Sequence, residues 1–269
     1  MIKEIKGDKV PALGFGTWRL EGKEGEKAVA DALEIGYRHI DTAQAYDNEE
    51  FVGNAIKASG IDRDEIFLTT KAHWDHLEPD ELISRFNESL EKLKTDYVDL
   101  FLIHWPSPQG VPTKETLQAM LELSADRKTR HIGVSNFPPV KLREALEHAE
   151  LYCNQVEYHP FLDQTELLNI AEEHDMLVTA YCPLARGKAM DENDLQVIAK
   201  KHGKTPAQVA LRWLIQQKQV SAIPKASSPE HRKANFQIFD FELSDEDMKT
   251  INKFDRKMRL INPEFAPEW

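Results

Sequence analysis

Four residues with the chemistry to deliver a proton to an oxygen atom fall at or just beyond the ends of predicted strands. The stretch Gly36 to Gly53, GYRHIDTAQAYDNEEFVG, reads as a short strand delivering Asp41, a loop carrying Tyr46, and a helix capped by Asn48 whose apolar side bears Phe51, Val52 and Ile56. IFLTTK then ends at Lys71 and YVDLFLIH at His104. The intervals of 30 residues (41 to 71) and 33 residues (71 to 104) each match one strand–helix unit, so an acid, a phenol, an amine and an imidazole meet on one rim. A free phenol titrates near ~10 and is a weak acid at neutral pH, but a neighbouring ammonium favours its phenolate. Lys71 supplies that charge and Asp41 holds Lys71. His104 orients a carbonyl oxygen, and Tyr46 protonates that oxygen as negative charge develops on it. Taken singly, Asp41 could be a strand-end cap, Lys71 a surface lysine and Tyr46 loop packing; the coincidence of four favours chemistry.

The elements that must position this set alternate regularly. Helices are expected at 25–34, 48–59, 79–93, 113–123, 138–148, 165–174, 192–202, 206–217, 229–237 and 244–254. Strands are expected at LGFG near 13–16 and at 37–41, 66–71, 97–104, 130–134, 154–157, 177–181 and 220–223. The strands are apolar runs, as when both faces are buried. Eight strand–helix units point to an α/β TIM barrel, here one domain over 1–269, with the last helix outside it. Residues 1–12 form a hairpin around Gly7-Asp8 that plugs the barrel bottom. Thr205-Pro206-Ala207-Gln208 is a capping box, and Ser244 with Asp247 repeats it. LGFGTW has Gly14 and Gly16 but Arg19 where a dinucleotide fingerprint needs a third glycine, which disfavours a Rossmann domain. The two glycines are read as letting the backbone pass close to a ligand, with Thr17 and Trp18 at the rim.

The segments GYRHIDTAQAYDNE, TTKA, YVDLFLIHWP, HIGVSNF, NQVEYHP and IPKASS, in this order, resemble the signature segments of the aldo-keto reductases. The resemblance runs from LGFGTW near residue 13 to FDFEL near residue 243. The closing LINPEFAPEW is similar to the bacterial 2,5-diketo-D-gluconate reductase branch, its B type in particular. The family implies NADPH as cofactor, Asp41, Tyr46, Lys71 and His104 as catalytic residues, and Trp18, His73, His104 and Trp105 around the substrate. Gly16, Thr17, Trp18 and Asp41 are also expected to border the cofactor, as are Pro183, Leu184, Ala185 and Gly187 after strand seven and Ala226 and Asn235 near the end of the barrel.

Barrel enzymes gather ligands at the C-terminal ends of strands. Ser135, Asn136 and Gln155 offer a hydroxyl and two amides for a carboxamide edge, and Tyr181 offers a ring for stacking; the resemblance assigns them to nicotinamide. In IPKASSPEHR, Ser228 caps a helix whose free amides, with Lys225 and Ser227, make a phosphate site suited to the 2′-phosphate of NADP. His231 stands where the family carries arginine, with Arg232 one position later, and a neutral imidazole binds phosphate less well than a guanidinium. Ala234 stands where many relatives carry glutamate.

A formal net charge of −12 argues against broad binding of nucleic acid or anionic membranes. Cys153 and Cys182 make no metal or redox spacing and read as free thiols in a reducing cytoplasm. No secretory leader or apolar run of membrane length is present, so a cytoplasmic monomer acting on a small carbonyl compound is expected. His73-x-x-His76 with His104 suggests a metal hydrolase as an alternative, but the spacing suits a helix better than the loop expected there. A regulatory protein that binds NADP without using it is the other alternative; the presence of Tyr46 and Lys71 speaks against it. His73 occupies the place where relatives usually carry tryptophan, with Trp74 shifted by one. Only 14 residues follow Asp255, so the tail is expected to cover little. The pocket should be open and wet, walled by Trp18, Trp105 and His73, and suited to methylglyoxal or diketo-gluconate rather than steroids. Arg259 is the candidate cation for an acidic substrate.

Overall fold

A computed structural model describes all residues, 1–269. The antiparallel hairpin β1 (Ile2–Ile5) and β2 (Asp8–Pro11) precedes eight parallel strands: β3 (Phe15–Gly16), β4 (His39–Asp41), β5 (Phe67–Ala72), β6 (Val98–Ile103), β7 (Thr129–Ser135), β8 (Cys153–Glu157), β9 (Leu177–Tyr181) and β10 (Val220–Ala222). Each strand pairs with its sequence neighbour. The Leu13–Ala222 bridge and the Gly14 N–H donating to Ala222 O (2.8 Å) join the first strand to the last, closing the barrel. The helices between the strands are α1 (Gly22–Ile35), α2 (Glu49–Ala58), α3 (Pro79–Leu93), α4 (Thr113–Ala125), α5 (Pro139–Leu146), α6 (Thr165–Glu173), α7 (Asn193–His202) and α8 (Pro206–Gln216). Two more, α9 (Pro229–Phe236) and α10 (Asp245–Ile251), follow the last strand. The expected elements are all present, with ends shifted by a few residues. The largest differences are α1, which starts earlier, and the last helix, which ends at Ile251 in a 3-10 turn over Asn252–Phe254.

The closure gives the two early glycines a reason within the barrel itself. A Cβ on Gly14 would lie 2.8 Å from the His39 ring and 2.9 Å from Ile223, and one on Gly16 would lie 2.8 Å from Ile223 O. They let the first strand approach its neighbours in the closed barrel.

Alternation along each strand sorts side chains between two cores. Ile40, Leu68 and Phe101 point outward into the large cluster shared with the helices, whereas Phe67, Leu100, Leu102, Cys153 and Leu177 point into the barrel. Ile5 and Val10 of the hairpin complete that inner cluster, so the hairpin plugs the bottom as expected. With the lower interior filled, the inward positions one or two steps further along each strand form the floor of the top face: Asp41, Lys71, Gln155 and Tyr181. Both capping boxes form, and each such cap is worth about 1 kcal/mol. No helix is long and apolar enough to cross a membrane.

Candidate active site

Lys71 lies at the centre of the top face. Its Nζ donates to Asp41 Oδ1 (2.6 Å), to Thr42 O (2.8 Å) and to the Tyr46 hydroxyl (3.4 Å), which uses all three ammonium hydrogens. The Lys71 and Asp41 side chains are 0% and 2% exposed, and the second Asp41 oxygen accepts from Gln155 Nε2 (2.7 Å) reaching across from β8. A buried ion pair is tolerable only with its remaining lone pairs satisfied, and Gln155 and Thr42 meet that condition here. Tyr46 ends a 3-10 turn (Gln44–Tyr46), and its ring meets His104 edge-on at 5.5 Å between centroids. The four residues singled out in the sequence are thus brought together.

Asn48 has a different task from the one expected. It precedes α2 but makes no side-chain cap. Its Nδ2 donates to Thr17 O (2.9 Å) and its Oδ1 accepts from the Thr42 hydroxyl (2.5 Å), tying the loop that carries Trp18 to the loop that carries Tyr46.

Burial governs the charges. It pushes the Tyr46 phenol well above its ordinary range, with the Asp41 charge adding to the effect, so the resting hydroxyl is protonated at neutral pH. The lowering expected from Lys71 is outweighed by desolvation; the ammonium instead stands ready for charge that appears only as the proton leaves. Burial lowers the Lys71 ammonium, and Asp41 opposes that shift. Burial, with Lys71 and His73 nearby, holds His104 well below the usual histidine range, so it is a neutral imidazole. Neither ring nitrogen makes a hydrogen bond within the protein, and Nδ1 is buried without a partner. A neutral imidazole can donate to a carbonyl oxygen without competing for the proton that Tyr46 supplies.

Above this floor the walls are aromatic. Trp18 is 42% exposed and Trp105 5% exposed. Trp74, not singled out as a wall in the sequence, packs edge-on to His104 (5.4 Å), and His73 stacks on its outer side (4.1 Å). The one-residue shift noted in the sequence therefore sets the Trp74 indole against both the His104 edge and the His73 ring. Phe265 stacks on Trp74 (5.0 Å) and meets Trp105 edge-on (5.7 Å). This corrects the expectation that the short tail covers little: it crosses the top face and adds a wall. Arg259, the candidate cation, lies within the tail. Its guanidinium stacks on Trp269 (3.5 Å) and is partly desolvated near Tyr181 and Glu157. His73 Nδ1 accepts from Asp75 N (3.1 Å), and His76 Nδ1 lies 2.7 Å from Glu81, so both rings are held by near neighbours.

On the other side of the floor, Ser135 Oγ donates to Gln155 O (2.9 Å) and Asn136 Nδ2 to His104 O (2.9 Å), while Asn136 Oδ1 accepts from the Tyr181 hydroxyl (2.6 Å). The expected carboxamide readers are adjacent, but much of their donor capacity is spent on one another. Asn136 also links the Tyr181 ring to the His104 backbone, a role with no signal in the sequence. Beyond Tyr181 the chain passes Pro183 and Leu184 into a tight loop with positive φ at Ala185 (48°), Arg186 (52°) and Gly187 (92°). The amides of Ala185 and Gly187 bond to Cys182 O and Leu184 O and so hold that loop's shape.

A groove of about 660 Å³ runs past the end of β10 and is bordered by Arg19, Lys27, Lys225, Ser227 and Arg232, with Glu21 and Glu24 opposite. Lys225 and Ser227 are exposed, with Nζ 2.7 Å from Oγ, an ammonium and a hydroxyl side by side. Ser228 caps α9 through His231 N as expected. Arg232 is engaged within the chain. It is 2% exposed, donates to Ala226 O (3.1 Å) and Ser227 O (2.7 Å), and is paired with Asp31, so it shapes the loop rather than offering a free guanidinium. Ala226 and Asn235 are also buried, and His231 lies exposed on the first turn of α9. The donor set suits a dinucleotide with an added phosphate, with Lys225 as the exposed cation beside Ser227.

A barrel with this rim is the architecture of a carbonyl-reducing enzyme class, and the chain belongs to the aldo/keto reductase family, whose model matches residues 12–256. It is 43% identical over 265 residues, 97% of this chain and 99% of the other, to methylglyoxal reductase DkgB of Escherichia coli O157:H7. A crystal structure assigned as 2,5-diketo-D-gluconic acid reductase B superposes with a TM-score of 0.97 at 45% identity, covering 100% of this chain and 98% of that one. A Bombyx mori aldo-keto reductase in complex with NADP superposes at 0.91 with 33% identity, covering 98% and 95%. The family and its reductase relatives make the protein an oxidoreductase, and they do not favour the metal hydrolase.

Proposed function

We propose that this chain is an NADPH-dependent carbonyl reductase, a cytoplasmic monomer of one barrel domain that turns small polar aldehydes and ketones into alcohols. The observation that carries the reading is the buried Lys71 ammonium bridging Asp41 and the Tyr46 hydroxyl. When bound, nicotinamide supplies the hydride. Everything else falls to side chains of this chain. Ser135, Asn136 and Gln155 would hold the carboxamide edge, and the Tyr181 ring would stack on the nicotinamide. His104 Nε2 orients the substrate oxygen, and Tyr46 gives that oxygen its proton. As the phenolate forms, Lys71 stabilises it with a charge already paired to Asp41, an interaction that strengthens only as the reaction proceeds. The close aromatic walls and the methylglyoxal and diketo-gluconate relatives support a compact substrate such as methylglyoxal or 2,5-diketo-D-gluconate.

Lys225 is proposed as the reader of the 2′-phosphate, because Arg232 is engaged elsewhere and His231 is a weaker phosphate ligand. Binding measured by fluorescence titration should show Lys225→Met losing about 1.5–3 kcal/mol for NADPH, the scale of a hydrogen bond to a charged group, with NADH nearly unchanged. Equal losses for the two cofactors would make Lys225 a structural residue instead.

A further inference from the structure

Glu157 is a fully buried carboxylate at the top of β8 that the proposed chemistry does not use. Its oxygens are nevertheless saturated. Oε1 accepts from Leu260 N (2.8 Å) and faces His159 Nε2 (3.0 Å), and Oε2 accepts from Ile261 N (2.8 Å) and Leu260 N (3.1 Å). Arg259 is the other charged group nearby and makes no ion pair with it within 4 Å. Leaving a buried carboxylate short of donors is costly, so the two tail amides and Glu157 require one another. After the 3-10 turn at Asn252–Phe254 the tail has no helix or strand; Arg256 N and Met258 N donate to Phe161 O (3.1 and 3.0 Å), and the bonds to Glu157 are its next and last hydrogen bonds to the barrel. Four residues beyond the anchored Ile261, past Pro263 and a turn in which Ala266 N donates to Pro263 O (2.9 Å), Phe265 reaches Trp74 and Trp105. Trp74 in turn packs on His104.

We propose that Glu157 is a positioning residue that sets the width of the substrate cleft: it latches the tail at Leu260 and Ile261 and thereby fixes Phe265 as a wall that favours compact carbonyl compounds over bulky ones. The inference rests on the carbonyl-reductase reading of the cleft. A residue serving only stability would lower activity toward all substrates alike, whereas the latch predicts a change in selectivity.

The test compares methylglyoxal with the bulkier 1-phenyl-1,2-propanedione in the wild type, Glu157→Gln, Phe265→Ala and the double variant. In Glu157→Gln one latch amide faces a donor instead of an acceptor. Its kcat/KM ratio for the bulky over the small dicarbonyl compound should rise about tenfold through KM, with kcat for methylglyoxal held within about twofold. Phe265→Ala should give a similar rise and the double variant little more, because both act through one wall. Trypsin should also release the peptide 260–269 from Glu157→Gln about tenfold faster than from the wild type. This readout needs no substrate, so it judges the latch even if neither dicarbonyl compound is turned over, an outcome that would count against the carbonyl-reductase reading alone. If Glu157→Gln does not fold, Ile261→Pro removes a latch donor from the exposed side and should give the same two changes. A folded variant with wild-type selectivity and wild-type tail cleavage would overturn the proposal, as would selectivity shifts that multiply in the double variant.

Discussion

Tyr46→Phe is expected to lower turnover of methylglyoxal with NADPH by roughly two or more decades, the scale on which removal of a general acid is felt. Only the hydroxyl is lost: the ring can keep its edge-on contact with His104, and the Lys71–Asp41 pair stays intact. The fold should therefore survive, and the binding of NADPH should be nearly unchanged. Steady-state kinetics beside a cofactor titration would check this. A variant that keeps wild-type turnover would remove Tyr46 from the reaction.

Lys71→Met should reduce turnover on a similar scale while also destabilising the protein. Both partners of its ion pair are buried, and without the ammonium Asp41 keeps only the Gln155 donor. Breaking a buried pair from one side typically costs about 3–5 kcal/mol. The urea unfolding midpoint should fall in this variant and stay close to wild type in Tyr46→Phe, so the two measurements together separate proton delivery from its support. Loss of stability with turnover intact in the folded fraction would show that Lys71 serves structure alone.

Much of this arrangement was legible in the sequence because it lies on strands, where spacing and alternation carry geometric information. Thirty-odd residues between strand ends put Asp41, Lys71 and His104 on neighbouring strands, and the period of two turned Lys71 inward beside Asp41. Gln155 was assigned to a cofactor edge, but Cys153, Gln155 and Glu157 share the inward parity of β8, a signal that could have suggested its reach to Asp41 and the buried place of Glu157. The need for glycine at 14 and 16 that comes from Ile223 and His39 was not legible, because those contacts exist only once the barrel closes. Arg232 looked like a phosphate ligand by type and position, yet its direction was set by Asp31 on a helix some two hundred residues earlier. The tail offered no periodicity, so nothing in its length alone revealed that Phe265 reaches the indoles of Trp74 and Trp105.

In the proposed reaction, hydride from NADPH and a proton from Tyr46 are added across a small carbonyl group. Its most direct test follows the hydride with NADPH deuterated at the transferring position of the nicotinamide and methylglyoxal as substrate, the product being analysed by mass spectrometry. The alcohol should carry deuterium on its new carbinol carbon, one for each NADPH oxidised. An alcohol formed without deuterium, or cofactor bound with no alcohol formed, would contradict it.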